Sequence, residues 1–277
     1  MHVSEKRSIA IITFLCPYPV SDGGRFGVFS FVNDMRKLFN VAVVFKVPKS
    51  EEENVTELKK LWPDVEVLPI YTKNSFKSNA VKQKESLFKK LVLPIRMLKY
   101  KKRAKKENFQ TKIVHSLYPF TPEGRELLDF LDQLFRRKKF DIVQVEYSNL
   151  LNLVHIIPEG AKKVFFQHEN RYSILEDYFA VNKDNGLYAS YIVNTARFTE
   201  INLMNQYDRI LILNRNDQAR LAEYIPLKKL QLMPTSVPES LIPNCKRTAC
   251  AEKLVFMGSQ GHHPNMDAVQ WFSVEML

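Results

Sequence analysis

Short apolar runs, separated by longer amphipathic stretches, set the rhythm of this chain. The residues Ser8 to Leu15 are apolar on both faces, as expected for an interior parallel strand. A helical pattern follows from Phe26 to Phe39, then a second strand from Asn40 to Val47, an acidic helix from Glu51 to Leu61 and a third strand from Val65 to Leu68. Further on, an amphipathic helix is expected over Tyr118 to Arg137, entered through Pro119 and Pro122. Strands follow at Asp141–Val145 and Ala161–Phe166, with a helix-like segment, Leu150 to Ile157, between them. A long polar helical region, Tyr172 to Tyr207, leads to strands at Asp208–Leu213 and Lys229–Met233, with a short helix from Asn216 to Tyr224. This alternation of strand and helix predicts an α/β fold built on a doubly wound parallel sheet.

The pattern lapses from Met233 to Pro243, which is rich in proline and carries no periodicity. A domain boundary is expected there. The reading is residues 1–234 as one Rossmann-like domain, 235–252 as a linker, and 253–277 as the first β-α unit of a second Rossmann-like domain. One such unit cannot form its own core, so the second domain is expected to be incomplete.

Charge changes the picture in one place. The net charge is +11, and from Lys73 to Lys112 fourteen Lys and Arg face only Glu85 and Glu107, so this segment holds essentially all of it. Leu87, Phe88, Leu91, Val92, Ile95, Met97 and Leu98 are interleaved with the lysines. A solvated insertion is one reading; an anionic membrane surface fits the aliphatic interleaving better than nucleic acid does, and no nucleic-acid partner is expected. Three cysteines, Cys16, Cys245 and Cys250, have no paired spacing, and no apolar run approaches the roughly 20 residues that span a bilayer. A soluble protein of the reducing cytoplasm is expected, with peripheral contact to the inner face of the plasma membrane through the basic segment.

Candidate chemistry gathers at strand ends. Parallel strands joined by one crossover end on the same sheet edge, and ligands bind outside that edge. Glu146 and His168 would therefore face one crevice, Glu146 orienting a polyhydroxylated substrate and His168 acting on a hydroxyl. The competing reading is a helix cap and a satisfied polar group. The loop Ser21 to Arg25, with Gly23 and Gly24, would let a backbone approach an anion at a helix N-terminus, unless it is an ordinary tight turn. It lacks the GxGxxG spacing of nicotinamide sites. His262 and His263 read as surface residues rather than metal ligands, and no GxSxG nucleophile elbow is present.

Taken in order, the Gly-Gly turn, Phe140 to Glu146, Gln167 to Asn170, Asp208 to Asp217, Met233 to Val237 and the tail segments Leu254–Ser259 and Pro264–Phe272 resemble retaining glycosyltransferases of the GT-B fold. The likeness is to the large bacterial family that builds surface polysaccharides from nucleotide sugars. It implies that the first domain is the acceptor side and the second the donor side. His168 would contact the transferring sugar as the catalytic residue, and Glu146 would bind acceptor. Gly23, Gly24, Arg25 and Gly258 would lie near the donor. The implied partners are a nucleotide-sugar donor and a glycan or lipid-linked acceptor, with no cofactor and no metal. The resemblance also implies that the donor site is not complete within these 277 residues, so that this chain alone would be inactive. Two other readings stay open: a non-catalytic membrane-surface module, and a sugar-nucleotide epimerase of the same architecture.

Overall fold

The structure is a computed structural model that describes residues 6–72, 118, 120–236, 254–256, 258 and 263–276. Seven strands form one wholly parallel sheet in the order β3-β2-β1-β4-β5-β6-β7. They are β1 (Ser8–Thr13), β2 (Asn40–Pro48), β3 (Glu66–Thr72), β4 (Ile142–Glu146), β5 (Lys162–Gln167), β6 (Arg209–Ile212) and β7 (Leu230–Leu232). The helices are α1 (Gly23–Leu38), α2 (Glu52–Leu61), α3 (Arg125–Arg137), α4 (Arg171–Val181), α5 (Leu187–Asn205), α6 (Arg215–Ala222) and α7 (His263–Glu275). The strand order reverses between β1 and β4, which is the switch point of a doubly wound sheet. The expected α/β, Rossmann-like architecture is therefore present.

Both faces of the sheet are covered, and the strand period of two divides the core accordingly. Ile9, Ile11, Val41, Val43 and Phe45 pack toward α1 and α2, around the buried Trp62. Ala10, Ile12, Ala42 and Val44 point the other way, into a larger core that also takes Leu127 and Leu131 of α3, Leu175 of α4 and Met204 of α5. Trp62 joins α2 to α1 by stacking on Phe29 at 5.0 Å and donating from Nε1 to Asn33 Oδ1 at 2.8 Å. At the opposite sheet edge from the site, Asp141 accepts from the Ser8 amide and hydroxyl at 2.7 and 2.8 Å, tying β4 to β1.

Four local expectations are corrected. The helix-like link between β4 and β5 is a 3-10 helix, Ser148–His155, rather than an α-helix, and it places Leu150, Leu151, Leu153 and Val154 in the core. The region from Tyr172 to Tyr207 is two helices, because Lys183 takes a left-handed φ of 55° and Asp184 Oδ1 accepts from the Gly186 amide, turning the chain. Helix α1 begins at Gly23, three residues early, since Asp22 supplies the N-cap and accepts from the Arg25 amide at 2.9 Å. Of the strand expected to open a second domain over Lys253 to Gly258, the residues Leu254, Val255, Phe256 and Gly258 are described, and they are exposed and lie in no strand. The helix expected after it is present as α7. The basic segment Lys73 to Lys112 and the residue His262 lie outside the described residues. Among the described residues no helix is long and apolar enough to cross a membrane.

Candidate functional site

The site lies where the sheet order reverses, outside the carboxyl ends of β1, β4 and β5. Here a cavity of about 290 Å³ is lined by Gly23, Gly24 and Gly27 of α1, and by Tyr147, His168 and Glu169 beyond β4 and β5. Thr235 and Ser236, just past β7, form another wall. Hydrogen bonds from Lys37 and from Ser236 hold the Asp34 carboxyl of α1 below the usual range, and both Asp34 and Ser236 line the cavity.

The glycines do not all do the same thing. A Cβ added to Gly23 or Gly27 would meet nothing within 4 Å, so their absent side chains leave the first turn of α1 open to a ligand. A Cβ on Gly24 would come within 3.0 Å of Tyr147 Oη and 3.4 Å of Asp22 Oδ1, so here glycine permits close packing. In the first turn of α1 the Arg25 amide is taken by Asp22 Oδ1 and the Phe26 amide by the Asp22 carbonyl, which leaves the Gly23 and Gly24 amides, at the positive end of the helix dipole, as the donors an anion could use.

His168 is held from three sides. Its ring stacks on Tyr147 with centroids 4.0 Å apart and planes 6° apart, and on Phe166 at 4.8 Å. Nε2 lies 3.2 Å from Glu146 Oε2, while Glu146 Oε1 accepts from Gln144 Nε2 at 3.0 Å. Glu146 is fully buried (0% exposed). A carboxylate only accepts, so with Glu146 ionised the Nε2 position carries the proton and Nδ1 is the accepting nitrogen. The in-register pairing of Glu146 with Phe166 explains why His168, two residues on, reaches it. Glu146 therefore sits beneath His168 with both oxygens engaged, rather than facing the open cavity as an acceptor ligand would.

The turn that carries His168 is braced by a residue with no counterpart in the sequence reading. Asn170 is the N-cap of α4, yet its side chain makes no capping bond: Oδ1 accepts from Gln167 and Nδ2 donates to Asp217. Glu200 of α5 takes over the capping, accepting from the Arg171 and Tyr172 amides at 3.2 and 3.0 Å and from Gln167 Nε2 at 3.1 Å. It is fully buried, and burial pushes its carboxyl up to about 7 against those hydrogen bonds.

Of the residues expected to form the site, Gly23, Gly24 and His168 line one cavity, with Glu146 behind His168. Arg25 does not join them. Its guanidinium donates to the Tyr18 carbonyl at 3.2 Å and pairs with Asp22 at 3.3 Å, and it lines a neighbouring cavity of about 410 Å³ with Lys46, Glu51 and Glu123. As the third residue of α1 it is turned away from the face that Gly23 and Gly27 leave bare. Gly258 is exposed and is not part of the cavity lining. Tyr147, Gln144 and Glu200 were missed. The only signal for Tyr147 is its place one residue past a strand end, and Glu200 gives none, because its partners lie 28 to 33 residues away. Among the described residues no three His, Cys, Asp or Glu side chains cluster as metal ligands would.

No protein-family model and no curated sequence matches the chain. Among solved structures, the fold is similar to Arabidopsis thaliana UGT89C1 complexed with UDP-L-rhamnose, at 13% identity over 90% of this chain and 56% of that one, with a TM-score of 0.44. It is also similar to the glycotransferase of kitacinnamycin, at 14% identity over 97% and 63% of the two chains and a TM-score of 0.42. TcCGT1 in complex with UDP gives 10% identity over 97% and 55%, with a TM-score of 0.41. The chain thus spans between about half and two thirds of the length of these structures. At such identities the likeness is one of fold, and the functional reading rests on the geometry of the cavity.

Proposed function

We propose that this chain is the acceptor-side part of a GT-B glycosyltransferase that moves a sugar from a nucleotide sugar to a glycan or lipid-linked hydroxyl, with retained configuration. One observation carries the reading: the bare first turn of α1 and the Glu146-backed His168 line the same cavity at the switch point of the sheet. A helix N-terminus favours a diphosphate, and a fixed imidazole can accept from a sugar hydroxyl.

In this reading the anomeric C–O bond to the diphosphate breaks, and the negative charge left on the leaving oxygen is met by the Gly23 and Gly24 amides at the start of α1, preorganised in place. The acceptor hydroxyl adds to the same face, and its proton passes to the departing diphosphate. His168 holds a hydroxyl of the transferring sugar, and Glu146 acts through His168, fixing its tautomer and plane, instead of touching the acceptor. At about 290 Å³ the cavity suits a diphosphate and one sugar better than a whole nucleotide sugar, so the nucleoside is held by other residues, which the proposal assigns to a donor domain. The acceptor, the bacterial surface-polysaccharide setting and the contact of Lys73 to Lys112 with an anionic membrane are parts of the same proposal.

The test is a release-and-transfer assay on the full-length protein, with a panel of UDP-, GDP- and ADP-sugars and membranes as the acceptor source. We expect acceptor-dependent release of nucleoside diphosphate, and a loss of about tenfold or more in His168→Ala, the scale of a hydrogen bond that positions the transferring sugar. Cleavage of no donor, or cleavage that survives His168→Ala, would sink the reading. Proton NMR of the product's anomeric position decides retention.

A further inference from the structure

A second cavity, of about 410 Å³, opens on the same sheet edge beside the carboxyl ends of β1, β2 and β3. Its charged walls come from four separate elements: Arg25 of α1, Lys46 of β2, Glu51 of the 3-10 turn Lys49–Glu51, and Glu123 just before α3. All four side chains are partly buried. They stand as two pairs of opposite sign, Lys46 with Glu123 and, more loosely, Arg25 with Glu51 at 3.9 Å. Phe14, directly after β1, is 43% exposed and lines this cavity, and its ring meets the Tyr147 ring edge-on at 5.2 Å. Tyr147 stacks in turn on His168, so a run of rings leads from this cavity to the imidazole.

The charges decide what such a cavity can hold. Among the described residues that line it, two cations and two carboxylates leave no net sign. An anionic ligand would meet the two carboxylates as well as the two cations. An acyl chain would strip water from four charged groups and give them no hydrogen bond in exchange. A neutral polyol does neither. Each of its hydroxyls can donate to a carboxylate oxygen and accept from an ammonium or guanidinium, while the apolar face of a pyranose lies on an exposed aromatic ring.

We infer that this cavity binds the acceptor through an uncharged sugar ring, with Phe14 as the surface it stacks on and the Lys46–Glu123 pair as its hydrogen-bonding group. This rests on the transferase reading above and narrows it: the part of the acceptor inside the protein is a neutral saccharide, and any lipid attached to it stays outside the cavity. Arg25, expected near the donor, then belongs to the acceptor side.

The test is binding in the absence of any nucleotide. Titrations followed by saturation-transfer NMR on the full-length protein compare neutral disaccharides with free hexuronic acids and with octanol. Phe14→Ala and Glu123→Gln probe two different walls, each variant checked by thermal melting. We expect a neutral disaccharide to bind in preference to the other two probes. Its affinity should fall about three- to tenfold in Phe14→Ala, the scale of one aromatic contact, and by a similar factor in Glu123→Gln, with melting temperatures unchanged. In the transfer assay both variants should raise the acceptor KM and leave the donor KM as it was. Neutral-saccharide binding that neither substitution weakens, or a preference for hexuronic acid or octanol, overturns this inference. So does a wild-type protein that transfers sugar to membranes yet binds no saccharide of the panel, and in that case the transferase reading stands. A protein that binds saccharide through Phe14 but cleaves no donor overturns the transferase reading and, with it, the acceptor role assigned here.

Discussion

Two fully buried carboxylates flank the turn that carries His168, and they differ in what surrounds them. Glu146, at the end of β4, faces one titratable partner, His168, and one amide side chain, Gln144. Glu200, from α5, faces two backbone amides and the Gln167 side chain, none of which changes charge. A carboxylate paired with an imidazole beside a cavity can govern where a proton sits. One that caps a helix with fixed donors can only hold a shape. Equal burial therefore does not mean equal role, and the neighbours decide.

Removing each carboxylate should separate the two. The largest stability effect is expected for Glu200→Ala, which leaves the Arg171 and Tyr172 amides without their cap, removes one of the acceptors of Gln167 Nε2 and opens the start of α4; a loss of roughly 3 kcal/mol is expected by urea denaturation. If the loss is under about 1 kcal/mol, the capping role is refuted. Glu146→Gln keeps the shape but can present its amide to His168, disturbing the tautomer. We expect sugar transfer to drop about tenfold or more while stability moves by about 1 kcal/mol or less. The reverse pattern, a folding defect with normal turnover, would erase the distinction drawn here.

The most diagnostic effect concerns pH. The Glu200 carboxyl lies at about 7 in the folded chain against 4.5 as its ordinary value, so the folded state binds the extra proton between those values. Stability should therefore fall as pH rises from about 4.5 to about 7 and then level off. Glu200→Gln should flatten that stretch of the curve. Asp64 and Asp141, held below 3.8 by Arg36 and by Ser8 respectively, act with the opposite sign and lower down, losing their contribution as pH falls through their folded values. The two trends have opposite signs, so in a denaturation series across pH 3 to 8 the comparison with Glu200→Gln isolates the upper one.

The division between what was legible and what was not follows the range of the forces involved. The apolar runs, the β-α alternation and the strand ends at Glu146 and Gln167 are set by local propensity and by the need to bury apolar faces, so composition and spacing alone identified a doubly wound sheet and brought Gly23, Gly24, Glu146 and His168 to one edge. The turn from Asn182 to Gly186, the 3-10 helix after Tyr147 and the outward aim of Arg25 depend on single backbone angles and on which neighbours a side chain meets. Tyr147 and Glu200 lie further out of reach. Nothing about a tyrosine announces a left-handed φ, and a glutamate on α5 becomes a cap for α4 only once the two helices pack. Sequence by itself determined the sheet and which edge of it would carry the chemistry. Tertiary packing alone decided the partners there, because hydrogen bonds across 22 to 47 residues exist only after the chain has folded.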